Sequence, residues 1–222
     1  MATGEIVIRY AGDSALLVEA GDVAAAHRLR AAMDGACVPG VRETVVGAGS
    51  LLVLLDPLDC DLAAVRRLLA APAIPLSGGA EAGTAGSPDN AGTGRTVRVP
   101  VVYDGADLAE VAVLTGLPEA EVVERHAAAT YTVAFVGFAP GFGYLTGLDP
   151  VLRVPRRDTP RERVPAGAVA IAGGYAAVYP QATPGGWRLL GCTDLVVFDP
   201  ARTPPALLGP GDRVRFEPVG GR

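Results

Sequence analysis

Phe135-Val136-Gly137-Phe138-Ala139-Pro140-Gly141-Phe142-Gly143-Tyr144-Leu145 is the stretch around which the rest of the chain is organised. A run of strand-forming residues, Tyr131 to Val136, leads into it and stops at Gly137, Pro140, Gly141 and Gly143. Such residues let a backbone bend sharply and be approached closely. Phe138, Phe142 and Tyr144 stand among these bends, where aromatics wall a pocket or plug a core. Downstream, Val154 to Pro165 carries Pro155, Pro160 and Pro165, which pin an irregular extended segment. Along it Arg156, Arg157, Arg161 and Arg163 offer forked donors suited to carboxylate or phosphate. A third segment, Tyr179 to Trp187, again mixes rigid turns, polar side chains and a large aromatic. Three such segments in one half of a chain look like the rim of a site.

The chain has 222 residues, 50% of them hydrophobic and 19% charged, enough for one large domain or two small ones with a substantial core. Its 29 glycines and 19 prolines favour many short strands and turns over a helical bundle. A formal charge of -5 argues against general nucleic-acid binding, so the arginine segment reads as a local anion site. There is no lysine, which removes a P-loop lysine and Schiff-base chemistry from consideration. Cys37, Cys60 and Cys192 are an odd set without close pairing and suggest neither a disulfide framework nor a zinc site. The N-terminus, with Glu5 and early alternation, is unlike a signal peptide. The longest strongly apolar run, Leu51 to Leu55, is too short to cross a membrane. A cytoplasmic setting, without membrane or nucleic-acid partners, is the expectation.

Taken in order, Ile6 to Tyr10 and Ala15 to Val18 read as strands. A helix from Val23 to Met33 follows, with Asp22 as its cap. Val41 to Val46 and Leu51 to Leu55 form the next strand pair. Asp59 or Asp61 then opens a second helix with Leu62, Val65 and Leu69 on one face, ended by Pro72. Residues 1–72 are therefore expected to form a small α+β domain. Residues 73–95, thin in everything but Gly, Ala, Ser, Thr and Pro, read as a flexible linker. The second domain, 96–222, opens with a strand from Thr96 to Tyr103 that exposes Arg98. Helices follow at Asp107 to Thr115, stopped by Gly116, and after Pro118, which suits a first helical turn. On the latter helix His126 shares a face with Val122, Val123 and Ala127. Strands are expected at 169–172, 175–179, 187–190 and 195–198, and a final one after the Pro210-Gly211 turn. That punctuation suggests a mainly-β, closed or nearly closed barrel.

Each candidate has a bland counterpart. His126 stands before the glycine-rich stretch, where an acid/base group would serve, but its spacing alone favours a satisfied core histidine. His27 reads as a surface residue. The arginines between Arg153 and Arg163 either clamp an anion or form a solvated face neutralised by Asp158 and Glu162. Thr159 and Arg161, held between Pro155 and Pro165, are the more suggestive pair. Phe138, Phe142 and Trp187 are more often core; Tyr144 keeps a polar tip and is placed facing a ligand. Pro184 to Trp187 presents backbone N–H groups to an anion or simply connects a hairpin. Gly47-Ala48-Gly49-Ser50 lacks the third glycine and the following helix of a nucleotide loop. No Ser/His/Asp elbow, metal-ligand cluster or paired carboxylates stand out. From the residues alone, the chain supports a small-molecule or anion pocket.

Gly137 to Leu145, the Pro155 to Pro165 segment, Val164 to Gly173, Thr183 to Trp187, Asp199-Pro200 and Pro210 to Phe216 together resemble one group, the KipI/PxpB family, also labelled allophanate hydrolase subunit 1. The resemblance covers nearly the whole second domain. It implies an α+β N-terminal domain followed by a mainly-β cyclophilin-like barrel. It also implies a role as one subunit of an ATP-dependent 5-oxoprolinase, which opens the ring of 5-oxoproline to glutamate. Partners implied are a C-type (PxpC-like) carboxyltransferase-like chain and an A-type (PxpA-like) subunit, with ATP as co-substrate of the complex. A homo-oligomer stays open. The candidates it carries over are His126 and Arg161 as catalytic groups, and Pro140, Gly141, Tyr144, Arg157, Thr159 and Trp187 as substrate-binding ones. Under it His126 is a proton-transfer group and Arg161 an anion anchor, and nucleotide handling is left to a partner.

Three positions depart from the family pattern: Cys192 in place of arginine, Tyr175 in place of glutamine and Ala127 in place of threonine. They bear on the ligand more than on the fold. The alternative function is a KipI-like protein inhibitor of a sensor histidine kinase, which needs no pocket. A peptidyl-prolyl isomerase follows from fold analogy alone.

Overall fold

The computed structural model describes residues 6–70 and 95–220. The expected linker therefore lies outside the described residues, apart from Arg95. Contacts divide the chain into two compact units, Met1–Ser87 and Pro88–Arg222.

In the first unit, strands β1 (Val7–Tyr10), β2 (Ala15–Glu19), β3 (Val41–Val46) and β4 (Ser50–Leu55) form an antiparallel sheet in the order β1-β2-β4-β3. Alternation decides which face is covered: Leu51, Val53 and Leu55 are buried while their neighbours on β4 are half exposed. Helices α1 (Val23–Ala36) and α2 (Leu62–Leu69) supply the covering side chains, Leu29 and Met33 from one, Val65 and Leu69 from the other. Both start where the sequence predicts a cap. The Ala25 amide donates to Asp22 at 2.6 Å, and the Ala64 amide donates to Asp61 at 2.9 Å.

The second unit is built on a seven-stranded mixed sheet. Its strands are β5 (Thr96–Val101), β6 (Tyr131–Val136), β7 (Gly143–Thr146), β9 (Ala168–Ala172), β10 (Tyr175–Val178), β12 (Arg188–Cys192) and β13 (Arg213–Pro218), in the order β12-β9-β10-β7-β6-β13-β5. A bridge between Val102 and Cys192 joins the two edges, so the sheet is a near-closed barrel. Helices α3 (Leu108–Thr115) and α4 (Glu119–Ala128) pack their apolar faces against it. A separate two-stranded ribbon pairs β8 (Arg161–Val164) with β11 (Thr183–Gly185).

Both faces of this sheet are buried around β9 and β10. Val169, Ile171, Ala176 and Val178 point into the main core, together with Leu145, Leu190, Tyr131 and Phe216. Their alternating neighbours Ala168, Ala170, Ala172, Ala177 and Tyr179 join a second cluster with Phe142, Val164, Trp187 and Leu189. Four alanines there leave room for the ribbon to lie close, which explains why every residue of β9 is buried.

Several elements differ from the sequence reading. The Pro155 to Pro165 segment is not irregular throughout, because Arg161–Val164 finds a strand partner in Thr183–Gly185. Residues 195–198 form no strand; Phe198 makes a lone bridge to Ala206, and Pro204 and Pro205 opposite have no N–H to extend a ladder. Pro118 is the N-cap of α4 and not in its first turn. The aromatic-glycine stretch is a hairpin: β6 ends at Val136, the chain turns through Gly137 to Phe142, and β7 returns.

Candidate functional site

A bulge in that hairpin builds the site. Val133 lies opposite Leu145, yet Phe135 lies opposite Tyr144, with a register shift between them. The inserted residue flips the alternation, so Val133 and Leu145 face the main core while Phe135 is placed to meet Tyr144 on the opposite face. The Phe135 and Tyr144 rings stack at 4.3 Å. Tyr144 also meets Phe142 edge-on at 5.1 Å, Tyr175 at 5.7 Å and Trp187 at 5.6 Å. Phe142 and Trp187 are buried, whereas Tyr144 and Tyr175 are half exposed and form the open part of the wall. Two glycines permit this packing. Gly141 has φ +78°, and a Cβ there would stand 2.6 Å from the Cβ of Phe198; a Cβ on Gly185 would stand 2.5 Å from the Tyr179 hydroxyl. Phe138, at φ +69° and 62% exposed, is the strained residue of the turn.

Beside the wall lies a charge cluster centred on Asp107, which is 1% exposed. Arg161 grips it bidentately at 2.8 and 2.7 Å, Arg157 reaches Oδ1 at 2.8 Å, and the Leu189 amide donates to Oδ2 at 2.7 Å. Burial pushes the Asp107 carboxyl up. The Arg161 hydrogen bond, the Leu189 amide and the two guanidinium charges outweigh it and hold the group below the usual carboxylate range. Arg188, itself buried, pairs with Glu110 at 2.5 Å, and Arg157 reaches Glu110 at 3.4 Å. Three arginines thus face two carboxylates, which leaves the cluster positive. Arg156 stands apart: it is exposed, its guanidinium carbon lies 5.9 Å from the Trp187 ring centroid, and among the described residues it has no ion pair.

Of the residues singled out from the sequence, Tyr144, Trp187, Arg157 and Arg161 are gathered on or beside this wall. Thr159 is exposed on the arginine loop, and Pro140 is exposed in the β6–β7 turn next to buried Gly141. His126 belongs to the main core. It is fully buried, its Nδ1 is 2.7 Å from the Tyr103 hydroxyl, and its ring stacks on Phe216 at 4.6 Å. Burial holds its imidazole down to about 3, so it is neutral across the ordinary pH range. Asp107, Glu110 and Arg188 were missed. Asp107 carries the ordinary signal of a helix cap, yet its side chain makes no cap hydrogen bond because arginines 50 and 54 residues away engage it.

Two cavities are lined by other residues. One of about 750 Å³ runs along α4, where Arg125 is already held by Glu121 and Asp149. Another of about 500 Å³ adjoins Gly141, Val136 and Leu208, with Arg95 paired to Asp212. Their arginines are satisfied, whereas Arg156 is not, which favours the aromatic wall as the site. Gly47–Ser50 closes the β3–β4 hairpin, with the Gly47 amide donating to Ser50 at 2.8 Å. A strand follows it, so it offers a phosphate no helix N-terminus.

Fold and site together define an α+β unit followed by a near-closed barrel unit, with an arginine-flanked aromatic wall on one face of the barrel sheet. Residues 6–208 match the carboxyltransferase domain, subdomain C and D. The chain belongs to that family. It is 46% identical over 185 residues to the B-type 5-oxoprolinase subunit of Escherichia coli O157:H7, covering 82% of this chain and 79% of that one. The crystal structure of TTHA0988 superposes with a TM-score of 0.74 at 37% identity over 94% of this chain. This chain spans 40% of the TTHA0988 chain. K. lactis urea amidolyase shares the fold, with a TM-score of 0.68 at 22% identity, and this chain spans 15% of it. Among the described residues no helix is long and apolar enough to cross a membrane.

Proposed function

We propose that the chain is the B-type subunit of an ATP-dependent 5-oxoprolinase, opening 5-oxoproline to glutamate together with C-type and A-type partners. The observation that carries this reading is the alignment to the B-type 5-oxoprolinase subunit of E. coli, at 46% identity over most of both chains. The geometry supports it. An aromatic wall beside a positive cluster suits a small ring bearing a carboxylate. Tyr144 and Trp187 form the wall, the turn at Pro140 and Gly141 and the loop at Thr159 form its rim, and Arg157 and Arg161 hold the loop through Asp107.

A five-membered cyclic amide is a poor electrophile, and coupling to ATP supplies an activated, phosphorylated form of it. A lysine-free chain whose one glycine-rich candidate loop is a hairpin turn leaves nucleotide handling to a partner. In this arrangement the chain's own residues orient the ring and its carboxylate. His126, sealed in the core against Tyr103, acts through the fold of that core and takes no substrate proton itself.

The test is 5-oxoproline-dependent ATP hydrolysis by this chain with its A- and C-type partners, each omitted in turn. Glutamate is expected only when this chain is present. If omission changes nothing, the reading falls, and inhibition of a sensor kinase becomes the next assay.

A further inference from the structure

We propose that Arg156, seated on buried Trp187, receives the substrate carboxylate, with half-exposed Tyr144 as the apolar wall against the ring. The identity of that substrate rests on the 5-oxoprolinase reading above.

The arginines around the wall differ in what already holds them. Arg157 and Arg161 are committed to buried Asp107, and Arg188 is committed to Glu110. Swinging Arg161 towards a ligand strips buried Asp107 of its bidentate partner, which costs far more than an exposed contact returns; Arg157 is held by Asp107 and Glu110 together, and Arg188 is itself buried. Arg156 has no such commitment. Asp158 and Glu162, which share its segment, are exposed and do not pair with it.

Freedom alone is not a site; what distinguishes Arg156 is how its backbone is held. Arg188 donates through Nε to the Pro155 carbonyl at 3.3 Å, just before it. Just after it, the Arg157 amide donates to the Gly186 carbonyl at 2.8 Å, and the Arg157 side chain is locked on Asp107. Arg156 is thus clamped on both sides, with its guanidinium over the Trp187 ring at cation–π range. Lying against that ring, the guanidinium keeps its N–H edge for a planar carboxylate. Trp187 is in contact with Tyr144 as well, so a ring-bearing acid held by Arg156 lies against the half-exposed tyrosine. The surplus positive charge of the neighbouring cluster favours an anion at the same place.

Trp187 is the chain's single tryptophan and therefore reports on this spot. The full chain is titrated with 5-oxoproline, with 2-pyrrolidone (the same ring without the carboxylate) and with inorganic phosphate, following tryptophan fluorescence. A saturable change is expected with 5-oxoproline alone. Arg156→Met should weaken it roughly ten- to a hundredfold, and Arg156→Lys should lose less. The thermal midpoint of Arg156→Met should stay at the wild-type value, because no carboxylate loses its partner. In the assembled complex the same substitution should raise KM for 5-oxoproline by a similar factor, with kcat changed little. No saturable change, equal affinity in Arg156→Met, or an equal response to 2-pyrrolidone or phosphate overturns the assignment. An active complex whose KM ignores Arg156→Met removes this inference and leaves the function standing. An Arg156-dependent titration in a chain whose omission leaves turnover unaffected does the reverse.

Discussion

At His126 the two ring nitrogens meet different surroundings: Nδ1 faces the Tyr103 hydroxyl, while Nε2 is buried without a hydrogen-bond partner. A proton added there has nowhere to share its charge. Burial holds the folded imidazole down to about 3, whereas the unfolded chain titrates near 6.5. Between those values the unfolded state binds the extra proton. The contribution of His126 to stability is therefore full above about 6.5 and is lost progressively as pH falls towards 3. Thermal midpoints measured between about pH 8 and pH 4.5 should fall more steeply for the wild type than for His126→Gln. Parallel slopes would assign the acid sensitivity elsewhere. Asp107 does not blur the comparison, because its depressed carboxyl costs stability only as pH falls below its ordinary value of 3.8.

At the scale of elements, Asp107 joins the start of α3 to the arginine loop, β8 and β12 through Arg157, Arg161 and the Leu189 amide. Removing it leaves the Arg161 guanidinium and a buried amide unmatched, and leaves Arg157 with only its longer contact to Glu110. Asp107→Ala should therefore cost about 3–5 kcal/mol in urea unfolding. Glu110→Gln, at a half-exposed carboxylate, should cost under about 1 kcal/mol. Similar losses for the two would mean that the cluster is not centred on Asp107. None of this was legible locally. Asp158 and Glu162 lie among the arginines and looked like their neutralisers, yet the partners come from a helix some fifty residues earlier. Where pattern is short-range, the sequence was a good guide: the β3–β4 strand pair, the cap at Asp22, a cap at one of the two aspartates offered for α2, and the apolar face carrying His126 are all as expected. Where pairing is long-range, it was not. The β8–β11 ribbon joins two proline-bearing segments with a bulge between them, and 195–198 lost its ladder to prolines beyond its own window. The aromatics were found, but not the bulge that decides which of them share a face.

For the barrel unit as a whole, closure depends on a seam. Val102 and Cys192 exchange two hydrogen bonds of 2.9 Å, whereas β9 is paired on both sides along its length. Hydrogen exchange under native conditions should release the Val102 and Cys192 amides before those of Ala170 and Ile171. Simultaneous exchange of all four would mean that the barrel opens as one piece. The first and last strands, β5 and β13, lie side by side and parallel, from Thr96 beside Arg213 to Val101 beside Pro218. The backbone thus enters at one rim and departs at the other, about 20 Å along at ~3.3 Å per residue. Tying the two ends of this unit into a loop would need a span across that height.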